Sequence, residues 1–178
     1  MATAVDVMKY IKSQVRVSGA VQLQKLVYYA QAWSIAWDGT PLFPERIEAW
    51  KHGPVVPALY KRDDAADPNA LSPQDRATVD AVLAHYGQHF GGSLRAMSHQ
   101  EQPWIDAWAR RATPERGSEE ITVDVMRRFY TSMALRGEGP RRVPDSQVLR
   151  ADAAEDEVSQ IAAANARRWR ETLAILGQ

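Results

Sequence analysis

The stretch that decides the fold is residues 20–39, AVQLQKLVYYAQAWSIAWDG. Its apolar residues recur every three or four positions from Leu23 to Trp37, which is the spacing of one helix face. Further aromatic residues lie on the other flank, so the helix is apolar most of the way round. A helix of this kind is usually central and buried. The sequence therefore predicts a central helix from about Ala20 to Trp37, stopped by Gly39.

Composition places the chain among ordinary globular proteins and removes several functions. Of the 178 residues, 45% are hydrophobic and 25% are charged, which allows one domain with a real core. The 22 basic and 22 acidic residues cancel, so direct binding to nucleic acid is not expected. The chain has no cysteine, which excludes disulfides and thiolate chemistry. Without a signal-peptide core or a run long enough to span a membrane, we expect a cytoplasmic protein with no membrane partner.

Helix signals continue on both sides of the central helix. Ala2–Gln14 is predicted as a short helix, because Thr3 and Asp6 resemble a capping box. The run from Ser72 to Asp75 predicts the start of another helix, because a capping serine, a proline and then an acidic residue occur in that order. Three more helices are predicted from their start signals, a single turn at Ser93–Ser98 and longer helices opening at Pro103 and after Thr122.

The segment 41–60, PLFPERIEAWKHGPVVPALY, is too rich in proline for regular structure and too apolar for a solvated linker. Residues 47–50 are a candidate short strand. Gly53 is predicted in a turn, and Pro54 is predicted to open a short helix that ends near Tyr60. The fold class predicted from the whole pattern is mainly α, a compact helical domain with at most a short strand or small sheet.

The composition changes after residue 135. Residues 136–145, RGEGPRRVPD, have the composition of a linker between the helical domain, residues 1–135, and a C-terminal helical extension, residues 146–178. An apolar stripe on that extension must be covered by its own domain, by a second copy or by a partner. We expect a partner to bind there, with four residues of the stripe as candidate contacts: Val158, Ile161, Trp169 and Leu173.

Histidines and one serine are the candidates for metal or catalytic chemistry. His85 and His89 have a spacing that can chelate zinc, but they lack the accompanying glutamate, so we predict neither a metal site nor a cofactor. Ser98 and His99, with Glu101, suggest a nucleophile and base. Adjacent residues seldom point at each other, however, and a structural hydrogen-bonding role for His99 is favoured.

The tryptophans are the strongest compositional oddity, since five of the six lie between residues 33 and 108. The simplest interpretation is that they fill one helical core, with Trp33, Trp50 and Trp104 largely buried. The alternative is that some of them form a binding hot spot on the surface, where tryptophan and tyrosine dominate interface energetics.

Four stretches taken together resemble a known family. They are LQKLVYYAQAW (23–33), GTPLF (39–43), IEAWKHGPVVPALY (47–60) and SHQEQPW (98–104). In this order they are similar to the Panacea domain of SocA-type and phage-associated GepA-like antitoxins, over roughly residues 5–135. The resemblance implies a mostly α-helical fold with little sheet.

The resemblance also implies a function and a set of signature residues. It implies an antitoxin that neutralises, by direct binding, a protein toxin encoded by a neighbouring gene. In the SocA branch it implies an adaptor that delivers the toxin to the ClpXP protease. It implies that the signature maintains the fold without catalysing a reaction, and that recognition lies on variable surface. The signature residues are Gln24, Lys25, Tyr28, Tyr29, Gln31, Trp33, Trp50, Gly53, Pro54, Val55, Tyr60, His99, Glu101, Pro103 and Trp104.

A second function class stays open at this point. In this alternative, the chain is a small enzyme whose site is built from Tyr28, His99 and Glu101 near the GPVVP turn. A concave polar pocket with strongly perturbed ionisable groups would favour the enzyme, and a toxic neighbouring gene would favour the antitoxin.

Overall fold

The predicted central helix is the element around which the other helices pack. The structure is a computed structural model that describes residues 1–60, 67–113 and 117–142. In chain order its elements are α1 (Ala4–Gln14), α2 (Ala20–Asp38), β1 (Glu48–Trp50), β2 (Gly53–Val55), α3 (Pro73–Tyr86), α4 (Gly91–His99), α5 (Gln102–Ala109), β3 (Glu119–Glu120) and α6 (Val123–Leu135). Short 3₁₀ helices lie at Pro57–Tyr60 and Pro68–Ala70. The predicted mainly α fold with a small sheet is confirmed.

α2 is buried along most of its length. Every residue from Gln24 to Ile35 exposes 4% or less of its surface. The helix packs against α1, α3, α4 and α6. Burying one large apolar side chain contributes roughly 1.5–3 kcal/mol, so α2 is the main source of hydrophobic stability. It ends as predicted at Gly39, whose φ of +71° lies in the left-handed region that favours glycine.

Two predicted helix starts are confirmed by their capping bonds. The Asp6 amide donates to the Thr3 hydroxyl, and the Thr3 amide donates to the Asp6 carboxylate. Ser72 and Asp75 form the same reciprocal pair at the start of α3. Because Thr3 is the cap, α1 begins at Ala4 and not at residue 2.

The proline-rich segment forms a β-hairpin where the sequence predicted a turn and a helix. Trp50 lies opposite Gly53 in the antiparallel β1–β2 pair, so Lys51 and His52 form the turn. Gly53 has a φ of +95°, which lets the chain re-enter the sheet directly. Pro54 therefore lies in an edge strand, a sheet position where a missing N–H is tolerated, and the prediction that it opens a helix is wrong. β3 pairs with the other side of β1, giving the order β2-β1-β3.

Two helix boundaries also differ from the prediction. The helical turn after the hairpin is a 3₁₀ helix that begins at Pro57. α4 begins at Gly91, before the predicted single turn at Ser93, and has nine residues. A Cβ at Gly91 would lie 3.0 Å from the Gln22 backbone nitrogen, so this glycine lets α4 approach α2 closely.

Residues 136–142, the first part of the predicted linker, pack against the core. A Cβ at Gly139 would lie 2.2 Å from the Trp33 ring, and its φ of +85° also favours glycine. Arg142 forms an ion pair with Asp38 at the C-terminal end of α2. The chain is therefore ordered against α2 for seven residues beyond α6.

By internal contacts the chain divides into two units, Met1–Arg142 and Val143–Gln178. The second unit lies outside the described residues, as do the four candidate partner contacts of its predicted stripe. The division into a domain over 1–135, a linker over 136–145 and a helix over 146–178 stays a prediction.

The three tryptophans predicted to be largely buried differ in exposure. Trp33 exposes none of its surface, and its Nε1 donates to the Tyr86 hydroxyl at 3.3 Å. Trp104 exposes 8%. Trp50 is only half-buried, and its ring stacks on the exposed ring of Tyr60 beside the hairpin.

We expect Trp33→Ala to lower the free energy of unfolding by about 3–5 kcal/mol, since it leaves a large cavity beneath α2. Trp50→Ala is the matched control. It should lower the free energy of unfolding clearly less, because part of the Trp50 ring is already exposed to water. Urea denaturation of both variants measures the difference. Equal losses would contradict the placement of Trp33 as the central core residue.

Candidate functional site

Two glutamines of α2 bond to the backbone of the proline-rich segment. The Gln31 Oε1 accepts from the Leu42 and Phe43 amides at 2.7 and 3.1 Å, and its Nε2 donates to the Phe43 carbonyl at 2.8 Å. Gln24 does the same for Val56, accepting from its amide at 2.8 Å and donating to its carbonyl at 3.3 Å. Each buried amide thus supplies hydrogen bonds that a proline-rich chain cannot obtain from a longer sheet.

Lys25 ties the hairpin to α2 in a third way. Its Nζ donates to the Pro54 carbonyl at 2.8 Å, and the side chain is 1% exposed. A Cβ at Gly53 would lie 2.6 Å from the Lys25 Cε and 2.9 Å from the Ser98 Oγ, so only glycine admits the lysine here. Burial, and then the charge of Arg95, lower the pKa of Lys25 to about 7.

Glu101 lies in a cage of tyrosine hydroxyls formed by Tyr28, Tyr29 and Tyr130. Tyr130 donates to the Glu101 Oε2 at 2.6 Å, and Tyr29 donates to its Oε1 at 3.1 Å. Tyr130 has one hydroxyl proton, and it donates that proton to Glu101. In the 3.0 Å contact between the two tyrosine hydroxyls, Tyr28 is therefore the donor and the Tyr130 oxygen is the acceptor. The cage joins α2, the residue that caps α5, and α6.

The interior around the cage perturbs its ionisation. Burial raises the pKa of the Glu101 carboxyl to about 7, and the bonds from Tyr130 and Tyr29 oppose this rise. Burial and the nearby Glu101 raise the pKa of Tyr28, Tyr29 and Tyr130, so the hydroxyls stay protonated. At neutral pH the cage therefore holds a carboxyl close to the midpoint of its titration.

His99 is the first ring of an aromatic stack on α4 and α5. Its ring lies 3.9 Å from that of Trp104 and nearly parallel to it, and Trp104 stacks in turn on Trp108 at 5.4 Å. The Arg111 guanidinium lies 4.5 Å from the centre of the Trp108 ring. The Trp104 Nε1 donates to the Trp50 carbonyl at 3.0 Å, which attaches the stack to the hairpin.

The imidazole of His99 is neutral at physiological pH. Its Nε2 is buried and has no hydrogen-bond partner among the described residues. Burial is the main cause that lowers the pKa of His99 to about 4, and the positive charges of Arg95, Lys25 and His52 lower it further.

The three residues of the enzyme hypothesis do not form one site. Tyr28 and Glu101 are linked through Tyr130, but in the described ranges no hydrogen bond joins His99 to either of them. The neighbouring Ser98 hydroxyl donates to the Arg95 carbonyl at 3.0 Å and not to the imidazole. Tyr28 exposes none of its surface and Glu101 only 8%, so the arrangement suits a polar core better than a catalytic centre.

The remaining histidines lie on the surface. His52 is exposed in the hairpin turn, and His85 and His89 are exposed at the end of α3 and just beyond it. Within the ranges that the structure describes, no group of three or more His, Asp or Glu side chains could hold a metal ion.

Twelve of the fifteen signature residues are buried; the other three are Trp50, Tyr60 and His99. Sequence reasoning gave Tyr130 no role in the site. Its contact with Glu101 spans 29 positions along the chain, so only the packing of α6 on α2 shows it. The burial of Lys25 was missed for the same reason.

Much of the buried network lies in a part of the chain that is similar to a known family. Residues 23–105 match the family model described as antitoxin SocA-like, Panacea domain. These residues are similar to a SocA-like Panacea domain. The match covers α2, the hairpin, α3, α4 and the start of α5, whereas α1 and α6 lie outside it.

The chain is also similar to a curated protein. The chain is 30% identical over 104 residues to antitoxin SocA of Caulobacter vibrioides, which covers 46% of this chain and 55% of that protein. The chain thus spans about half the length of the curated relative that it matches. No solved structure matches the chain. None of the helices in the described ranges is long and apolar enough to cross a membrane.

The raised pKa of Glu101 predicts a specific pH dependence of stability. The folded state binds a proton on the Glu101 carboxyl more tightly than the unfolded state, whose pKa is near 4.5. The stability that this proton contributes is therefore fully present below pH 4.5. It is lost as the pH rises through about 7. Between these two pH limits, the free energy of unfolding of the native protein should therefore fall by about 3 kcal/mol relative to that of Glu101→Gln.

Urea denaturation from pH 4.5 to 8 measures this difference, with Glu120→Gln on exposed β3 as the control. Other titrating groups act equally in both proteins, so the difference isolates Glu101. Parallel stability curves for the native protein and Glu101→Gln would show that Glu101 ionises normally in the folded state.

Proposed function

We propose that this protein is the antitoxin of a bacterial toxin–antitoxin pair, and that it neutralises its cognate protein toxin by direct binding in the cytoplasm. The match of residues 23–105 to an antitoxin family carries the proposal. The similar Caulobacter protein is itself named as an antitoxin. Similarity to an antitoxin family supports a role without catalysis, and the buried position of the cage agrees with that role.

The burial of the signature supports a division of labour within the chain. Side chains such as Gln31 and Lys25 are committed to internal hydrogen bonds, so a toxin has no access to them. The signature then maintains the scaffold, and residues outside it select the toxin. One toxin is therefore distinguished from another by surface residues of the domain or by segments beyond it.

The C-terminal extension is one proposed contributor to recognition. Its apolar stripe, with Val158, Ile161, Trp169 and Leu173, lies outside residues 23–105 and outside the described residues. A stripe of this size needs a cover. We propose that the bound toxin covers this apolar stripe in the complex.

Neutralisation after binding has two routes, occlusion of the toxin and delivery to the ClpXP protease. The resemblance to the SocA branch, which implies an adaptor for ClpXP, favours delivery, and this finer proposal rests on that resemblance. A host that lacks ClpX separates the routes, because delivery requires the protease and occlusion does not.

Co-expression with the product of the adjacent gene tests the proposed function. We expect that product to arrest growth when expressed alone, and this protein to restore growth and to co-purify with it. A non-toxic neighbour, or a toxic one that this protein neither binds nor neutralises, would contradict the proposal. Repeating the assay without ClpX should abolish the rescue if delivery is the route.

Deletion of residues 146–178 tests the role of the extension. We expect the remaining chain to stay folded and soluble, because Met1–Arg142 is a unit with its own core. We expect its toxin affinity to fall at least about tenfold, as befits the loss of an apolar anchor. Titration calorimetry measures the affinity, and neutralisation at full strength would place recognition elsewhere.

A further inference from the structure

An open groove lies between α5 and α6. Its volume is about 420 Å³, within the roughly 300–1,000 Å³ range of binding pockets. Its lining residues are Gln102 and Asp106 from α5, and Val125, Arg128, Phe129 and Ser132 from α6.

α6 presents different residues to the core and to the groove. Met126 and Tyr130 are buried beneath the helix. Val125 and Phe129, which are four residues apart, form an apolar strip on the groove side. Leu135, at the end of the helix, is 84% exposed.

The two walls of the groove carry opposite charges that do not pair with each other. Asp106 on the α5 wall accepts from the Gln102 Nε2 at 2.6 Å. Arg128 on the α6 wall donates to the Asp124 carbonyl at 3.4 Å. Among the described residues neither Asp106 nor Arg128 takes part in an ion pair. Both side chains can therefore form ion pairs with a bound partner.

The geometry of the groove favours a helix as its occupant. Both walls are helices whose backbone groups are already bonded internally, so an extended strand would find few partners for its own N–H and C=O groups. A helix satisfies its own backbone and can insert a ridge of side chains at spacing i, i+4 along Val125 and Phe129.

A second copy of this chain is a poor occupant. A two-fold contact places the same surface of both copies face to face. Two concave grooves that meet in this way enclose a void, whereas a well-packed interface needs a ridge opposite a groove.

We propose that the α5–α6 groove is the docking site for one amphipathic helix of the cognate toxin. That helix places an apolar side chain against Val125 and Phe129, a basic side chain near Asp106 and an acidic side chain near Arg128. This inference rests on the proposed function and adds where the toxin binds. α6 lies outside residues 23–105, so one wall of the site lies beyond the residues that match the family, as selection among toxins requires.

The experiment uses the full chain and the purified product of the adjacent gene. Arg128→Glu and Asp106→Lys reverse the two wall charges without touching the core. The matched control is Arg16→Glu, the same substitution at an exposed arginine after α1. We expect each groove variant to lose about tenfold or more in affinity by calorimetry, and the control to bind as the native protein does. Thermal melts verify that all three variants fold.

Hydrogen exchange of the complex supplies an independent readout. Toxin binding should slow exchange in residues 102–109 and 123–135. Groove variants that bind at native affinity, in a protein that still binds the toxin, would overturn the groove and leave the proposed function intact. No binding by the native protein would overturn both.

Two further outcomes would also overturn the docking site. A toxin-free dimer that Arg128→Glu converts to a monomer would assign the groove to a second copy. Faster exchange of the groove in the toxin-free chain after deletion of residues 146–178 would assign it to the chain's own extension.

Discussion

Buried side-chain amides of α2 make the hydrogen bonds on which the rest of the structure depends. The segment 41–60 contains four prolines, and its strands are three residues long, so it cannot satisfy its backbone by sheet pairing alone. Gln31 takes three backbone bonds near Phe43, and Gln24 takes two at Val56. An unpaired buried backbone group costs about 1–3 kcal/mol, which is a large part of the stability of a small domain.

The other polar groups of α2 follow from the same constraint. Once the hairpin is held against the helix, Lys25 is enclosed and needs the Pro54 carbonyl, and Gly53 must lack a side chain. Glu101 is enclosed in turn, and the described residues that bond to it are hydroxyls and not cations. A half-satisfied network of this kind would be worse than an apolar core, so its members depend on one another. This interdependence agrees with a predicted signature whose residues are far apart in sequence.

Sequence reasoning succeeded where local rules decide the outcome. The 3.6-residue period of residues 20–39, the capping pairs at Thr3 and Ser72, and the stop at Gly39 are local signals, and each gave the correct element. The hairpin was predicted wrongly because Pro54 suits a helix start by local rules. Its placement in an edge strand depends on contacts with Lys25, about thirty residues earlier.

The buried network could be predicted only in part for the same reason. The resemblance supplied most of its residues, including Glu101 and Tyr29. It did not supply their bonds or the participation of Tyr130, which depend on how α6 packs against α2. The groove between α5 and α6 has no local signal, since it arises from the orientation of two helices in space.

The central claim is that the amides of α2 hold the proline-rich segment as part of the core. Native-state hydrogen exchange of the Leu42, Phe43 and Val56 amides tests it most directly. We predict that these three amides exchange only through global unfolding, at the same free energy as amides in the middle of α2. Exchange through local opening, well below the free energy of global unfolding, would contradict the account.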